Sequence, residues 1–377
     1  MPKLVSYFNG LNALRFFAAS LVVFHHAEQI RSKSGLFNLK SYSFFNNGGI
    51  AVTFFFILSG FLITYLLLKE RSSSGVISIK KFYYRRILRI WPLYYLLVFL
   101  GSLLIPFLIS YLNISYEMPY TFSEVILFFV FFAPFMVTFI FGHHLLEPLW
   151  SIGVEEIFYI FWAPLLKYVN LSVAKISVFI IVFKFLLVSF SPYFIENELY
   201  FQLLGKLQFE SMAVGALGAV WVFNYQDQLG SSIFIFHRLS QIILMSFITI
   251  RIVFFEYLIS NVNVFAYIQG TFIFNLAVNF LFLWLILNVS LNKHSLIKFN
   301  SRVFNFLGDI SYGIYMYHML VIFTIMLVLK DYLIRINEIS ATILFYFLVF
   351  SGTIFVSYVS KQYFENYFIK LKSKYRL

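Results

Sequence analysis

Apolar runs about twenty residues long recur along the whole chain, near 11–30, 48–68, 91–112, 123–141, 149–166, 176–192, 199–222, 239–258, 264–290, 308–330 and 339–360. Twenty helical residues rise about 30 Å, the thickness of a bilayer's hydrocarbon core. Backbone groups inside lipid must find partners within the protein, which leaves helices and closed barrels as spanning structures. A barrel would show alternating segments of about ten residues instead. The expected fold is therefore an all-α, polytopic integral membrane helical bundle. Composition agrees: 61% of residues are hydrophobic, 52 are Phe, and only 12% are charged, about half of the roughly 25% usual in soluble domains. Soluble, disordered and fibrous classes are excluded.

Charge decides how many of the eleven runs cross. The net charge is +12, and in a membrane protein Lys and Arg gather on the cytoplasmic side rather than signalling nucleic acid. With both termini cytoplasmic and one segment between 113 and 148 not crossing, that side receives Lys3 and the run Lys69, Arg71, Lys80, Lys81, Arg85, Arg86 and Arg89. It also receives Lys167, Lys175, Arg238, Lys293, Lys298, Arg302 and the tail Lys361, Lys370, Lys372, Lys374 and Arg376. The outer side keeps Arg31, Lys33, Lys40, Lys330 and Arg335. Eleven crossings would place the second-half clusters outside. About ten transmembrane helices are expected, with 123–141 re-entrant or buried between other helices. No soluble domain or repeat is visible, so 1–360 reads as one membrane domain and 361–377 as a basic cytoplasmic tail. The first run lacks a basic leader and a small-residue cleavage site, and reads as a retained helix. The protein has no cysteine, which excludes disulfides, thiol catalysis and Cys-ligated metals.

Ionisable residues inside spans are costly and mark candidate sites. In the first helix, Arg15 and His26 are eleven positions apart, hence about 20° apart around the axis and about 16 Å along it. One face can thus hold an anionic group near the surface and a reactive end deeper in, with His26 as a candidate general base. The bland alternative is a snorkelling Arg and a satisfied His. His25 lies on another face. Gly48, Gly49 and Gly60 with Ser59 allow close approach of a helix or a ligand, packing being the simpler explanation for any one of them. Arg85, Arg86 and Arg89 share one helical surface, beside Trp91 and Tyr94. This run suits either attraction to anionic membrane lipid or a phosphate clamp for a nucleotide-bearing cosubstrate. Glu155 and Glu156 diverge by about 100° on a helix, so one can face a cavity while the other pairs with Lys184, Lys206, Arg251 or an Arg. Glu210 with Lys206, at i and i+4, reads as an internal pair. His318 reads as structural. His25/His26 and His143/His144 lack the i, i+4 spacing of a helical zinc site, and no metal is expected.

In order along the chain, the Arg15–His26 helix, GGIAVTFFFILSGFLI (48–63), YYRRILRIWPLYY (83–95), LWSIGVEEIFY (149–159) and LGDISYGIYMYH (307–318) resemble acyltransferase family 3. The resemblance runs from 8 to about 360. It implies a membrane O-acyltransferase that moves an acyl group, usually acetyl, from a cytosolic acyl-CoA to a saccharide hydroxyl of a surface glycan or its lipid-linked precursor, in the inner membrane. It matches His26 to the catalytic histidine, Arg15 to its partner, and Arg86 and Arg89, with Arg85 beside them, to donor binding. It places Glu155 with His26 and Arg15 in the catalytic group, while Glu156, Ser59, Gly48, Gly49 and Trp150 fall on other motif positions. Two departures stand out: Pro148-Leu149 precedes Trp150 where many relatives have His-Leu, and Gly153 stands where Ser is common. The family has members with and without a fused hydrolase-like domain, and the chain resembles the stand-alone form. The residues leave open whether His26 removes a proton or carries the acyl group, and set no oligomeric state. Physically, a secondary transporter or exporter of a glycan or lipid also fits buried charges in a ten-helix bundle, although the unusual residues here concentrate before position 160 rather than in two similar halves.

Overall fold

The computed structural model describes residues 8–114, 116, 118–169, 171–225, 234–299 and 301–371. Lys3, Lys372, Lys374 and Arg376 of the charge argument lie outside these residues. The described residues are helical and loop, with no strand among them. Eight helical stretches among them are long and apolar enough to cross a membrane. The chain is a multi-pass, all-α membrane protein, as its apolar runs require.

The expectation of about ten crossings adds two helices to these eight. One is α1 (Leu11–Lys33), 23 residues long, whose hydropathy is lowered by Arg15, His25, His26, Glu28, Arg31 and Lys33. The other belongs to the 199–222 run, which is not a single helix but α9 (Glu198–Lys206) followed by the 17-residue α10 (Phe209–Tyr225). Segment 123–141 is likewise two short helices, α5 (Phe122–Val130) and α6 (Pro134–Phe141), neither long enough to span. The remaining helices are α2 (Gly48–Ser74), α3 (Ile79–Phe99), α4 (Ile105–Tyr111), α7 (Trp150–Tyr168), α8 (Val173–Phe190), α11 (Arg238–Thr249), α12 (Phe255–Asn261), α13 (Asn263–Ile268), α14 (Phe272–Leu291), α15 (Arg302–Asp309), α16 (Ser311–Arg335), α17 (Glu338–Ser360) and α18 (Asn366–Leu371). A π-helical turn, Leu100–Leu104, joins α3 to α4, and another, Lys361–Glu365, carries α17 into α18.

Two compact units emerge. The first holds residues 1–28, 39–77 and 164–309. Its centre is the crossing of α2 and α10, flanked by α8 and α14. Small residues make that crossing possible. A Cβ on Gly60 would fall 2.0 Å from the Met212 carbonyl oxygen, and one on Gly215 would fall 2.0 Å from that of Ile57. The break between α9 and α10 leaves carbonyls that a continuous helix would have used. Buried Lys184 of α8 donates to Leu204 O and, at 2.9 Å, to Leu207 O. Its ammonium also stands 3.8 Å from Glu210. The expected Glu210–Lys206 pair is therefore replaced by Glu210–Lys184, because the helix that would have set i and i+4 together ends at Lys206.

The second unit holds residues 29–38, 78–163 and 310–377. Here α16 packs on α17, and Gly313 makes room for Ser357, whose Cβ would lie 2.9 Å from an added one. The turn between α5 and α6 is held by Phe132, at φ 55°. A positive φ is rare for a bulky residue, and its ring is wedged against Trp91 and Tyr94, centroids 5.3 and 5.0 Å away. Gly153 of α7 lies under this turn: a Cβ there would meet the Phe132 carbonyl oxygen at 2.4 Å. That contact leaves no room for a side chain at position 153.

Candidate active site

Within the first unit, α1 runs unbroken from Arg15 to His26, both half-buried, so the face deduced from their spacing exists. Arg15 donates from Nη1 to Asn12 Oδ1 at 3.1 Å, and Asn12 in turn donates to Asp309 Oδ1 at 3.0 Å. Asn12 sits three residues before Arg15, one turn away, and locks the guanidinium to the end of α15. Gly308 allows this closeness, since a Cβ on it would stand 2.3 Å from Asn12 O. At the other end of the face, the rings of His25 and His26 are 5.3 Å apart. Gly48, the first residue of α2, seats the His25 ring; an added Cβ would lie 2.3 Å from its Cδ2. Gly49 has open space around it, and Ser59 is half-buried on α2. Gly48 thus fixes the neighbour of the candidate base, whereas Gly60 belongs to helix packing.

Within the second unit, α3 and α7 bring the arginines and glutamates together. Arg86 lies with its guanidinium 5.8 Å from the centre of the Tyr159 ring. Tyr159 donates its hydroxyl to Glu155 Oε2 at 2.7 Å, one turn back on α7. Glu156, buried, accepts from Trp91 Nε1 at 2.9 Å. The two carboxylates therefore do diverge, each with its own partner, and both lie within electrostatic reach of Arg86. Two buried polar atoms here have no hydrogen-bond partner among the described residues, Arg86 Nε and Glu156 Oε1. A half-buried cation whose buried Nε is an unused donor, beside a carboxylate with an unused acceptor, is a place for a polar ligand group. Arg85 is half-buried and Arg89 exposed, so the three arginines do not form one uniform surface. Tyr94, expected beside a nucleotide, is instead fully buried and donates to Phe129 O at 3.0 Å. Trp150 is half-buried at the start of α7.

Sequence reasoning missed several contributors. Tyr312 donates to Ile90 O at 3.1 Å, next to Arg89. Glu365, buried in the π-turn after α17, accepts from Ser360 Oγ at 3.3 Å and lies 3.7 Å from Lys361. It is within the electrostatic field of Arg89 as well. No sequence signal marked it, because it stands among the basic residues of the tail. His318 is wholly buried with Nδ1 2.6 Å from Tyr315 O, a structural position. Arg31, counted as an outer charge, is also buried; it donates to Thr342 Oγ1 at 2.5 Å over the ring of Phe345. No group of three His, Asp or Glu suited to a metal occurs among the described residues.

The acyltransferase-domain family profile matches residues 8–361. A Staphylococcus aureus (strain COL) protein provisionally named O-acetyltransferase is 27% identical over 175 residues, 46% of this chain and 27% of the relative. A Bacillus subtilis (strain 168) protein provisionally named peptidoglycan O-acetyltransferase is 29% identical over 181 residues, 45% of this chain and 25% of the relative. The chain thus spans about a quarter of the length of the curated relatives it matches. No solved structure matches it. With the profile covering the helices that carry both residue groups, the chain belongs to acyltransferase family 3.

Proposed function

We propose that this protein is an inner-membrane O-acyltransferase that moves an acetyl group from acetyl-CoA to a hydroxyl of an envelope saccharide. The observation that carries this reading is the unbroken α1, with Arg15 anchored through Asn12 to Asp309 and His26 about three turns away on the same face. The names of the bacterial relatives support O-acetylation and a glycan acceptor. Arg86, stacked over Tyr159 with Nε unused, supplies a planar cation for a donor phosphate, with Arg85 and Arg89 adding charge near the same end of α3. The distribution of Lys and Arg favours cytoplasmic termini, with which this end of α3 meets the cytosolic donor.

In the reaction, the acceptor hydroxyl gives its proton to the imidazole of His26 while its oxygen attacks the thioester carbonyl. The C–O bond forms, the C–S bond breaks, and the departing thiolate recovers the proton from the imidazolium. A variant of this route forms an acyl-imidazole first and passes the acyl group on in a second step. Transfer of radiolabelled acetyl from acetyl-CoA into membrane glycan is the test. His26→Ala is expected to lower the rate about 100-fold or more, the usual contribution of general base catalysis. Full activity in that variant refutes the assignment. Recovery of labelled acetyl on His26 selects the two-step route.

A further inference from the structure

A second polar feature lies at the opposite end of the α3–α4 rod from the arginines. From Arg89 to Ser110 the rod rises about 30 Å, the depth of the hydrocarbon core. There the second unit opens a cleft of about 760 Å³ between the α3–α4 rod and the segment leading into α5. That volume is within the range of about 300–1,000 Å³ typical of ligand sites. Ser110, Asn113 and Thr121 line it together with Tyr116, Tyr120 and Phe107. Among the described residues, no Lys, Arg, His, Asp or Glu lines it.

Tyr120 is the informative residue. It is only 4% exposed, and its hydroxyl has no hydrogen-bond partner among the described residues. A buried hydroxyl left unsatisfied is costly, so such a group points to a missing partner. The ring is held rigidly, 5.3 Å from that of His144 and 5.9 Å from that of Phe141. Burial pushes its ionisation up, so the hydroxyl keeps its proton and can donate. Tyr116 is braced in the same way, 4.9 Å edge-on to Phe323. Asn113 is turned into the cleft's rim by a left-handed backbone, φ 50°, a conformation Asn tolerates better than most residues. Aromatic faces, hydroxyls and one amide form the chemistry that recognises sugar rings.

We infer that this cleft is a saccharide subsite: it binds neutral sugar units of the acceptor, with the Tyr120 hydroxyl hydrogen-bonding a sugar oxygen and Tyr116 and Phe107 lying against the ring faces. The inference rests on the acyl-transfer reading for the acceptor's class, and on the cleft alone for its place. It assigns acceptor recognition to residues outside the Arg15–His26 helix and outside the arginine group.

The test uses the purified full chain in lipid nanodiscs, with chitotetraose and maltotetraose as neutral probes, followed by saturation-transfer NMR and tyrosine fluorescence. Saturable binding of at least one probe is expected. Tyr120→Phe should weaken it about tenfold while leaving thermal unfolding unchanged, since the hydroxyl has no partner to lose among the described residues. Ser110→Trp, at an exposed position on α4, should fill the cleft and abolish binding. Both variants should bind CoA as the parent does. Absence of saturable binding overturns the inference, as does sugar binding that survives Ser110→Trp or a cleft occupied by lipid that sugars fail to displace. Acetyl transfer by His26→Ala, measured alongside, separates the two readings. Its loss with no sugar binding leaves acyl transfer standing without the cleft; full transfer with normal sugar binding does the reverse.

Discussion

Arg86 shows how much a single side chain's surroundings add to its charge. Positive-inside anchoring would be served equally by lysine. A guanidinium laid over Tyr159, whose hydroxyl is tied to Glu155, uses the planar shape that lysine lacks. Arg86→Lys should therefore raise the KM for the acyl donor about tenfold with kcat changed less than twofold, whereas Lys80→Arg or Lys81→Arg should alter neither. Equal kinetics for Arg86→Lys and the parent would reduce Arg86 to an anchor. The Arg15–His26 pair could be read from the sequence because an eleven-residue spacing survives any unbroken helix. Their environment could not. Asn12 is local, but Asp309, which completes the chain from Arg15, is 297 positions from Asn12, and no periodicity links such residues. Glu365 was invisible for a different reason: net charge described its neighbourhood as basic, and only the π-turn buries its carboxylate.

At the scale of elements, length and apolarity defined most helices, but breaks inside apolar runs escaped notice. Leu203, Leu204 and Leu207 continue the hydrophobic run of 199–222 across the end of α9, so hydropathy passes over the break. What marks it is Lys184 from α8, capping the freed carbonyls. Glycines, similar to one another in sequence, separate in the structure. Gly60→Val must push α2 away from the Met212 backbone, at a cost of about 1–3 kcal/mol, and should lower the melting temperature in detergent. Gly49→Ala, with open space around it, should not. Similar melting of the two variants would mean that α2 and α10 do not cross at Gly60.

The turn after α6 carries a pH dependence of its own. His144 is buried, with Nδ1 accepting from Leu146 N at 3.1 Å and Nε2 3.2 Å from Thr138 Oγ1. Burial first, and the neighbouring His143 second, push its pKa down from 6.5 to about 3. In the unfolded chain the same imidazole takes a proton near pH 6.5. Between these values only the unfolded state gains the proton, so the contribution to stability is complete above pH 6.5 and fades as pH falls toward 3. By pH 3 the loss is roughly 4 kcal/mol. His144→Gln should be less stable at neutral pH yet show a flatter decline between pH 6.5 and 3, by detergent melting. Parallel declines in the two proteins would place the acid sensitivity elsewhere.

For the molecule as a whole, the number of crossings depends on the two helices that house polar chemistry. α1 is polar because Arg15 and His26 lie on it, and α10 is short because the chain breaks at Lys184's carbonyl partners. A count based on hydropathy and length alone therefore omits α1, which carries Arg15 and His26, while it keeps α3 and α7. Charge supplies the independent argument, since ten crossings put Lys293, Lys298 and Arg302 on the same side as Arg85, Arg86 and Arg89. With no native cysteine to remove, single cysteines can report the side directly. In intact cells, Asn197→Cys and Ser123→Cys should react with a membrane-impermeant maleimide, whereas Ser73→Cys and Lys293→Cys should react only after permeabilisation. Were α10 not to cross, two further crossings, α11 with α12 and then α14, would bring position 293 to the same side as 197. Labelling of both in intact cells would then remove the cytoplasmic placement of the second-half charges, while leaving the placement of Arg86 to Ser73→Cys alone.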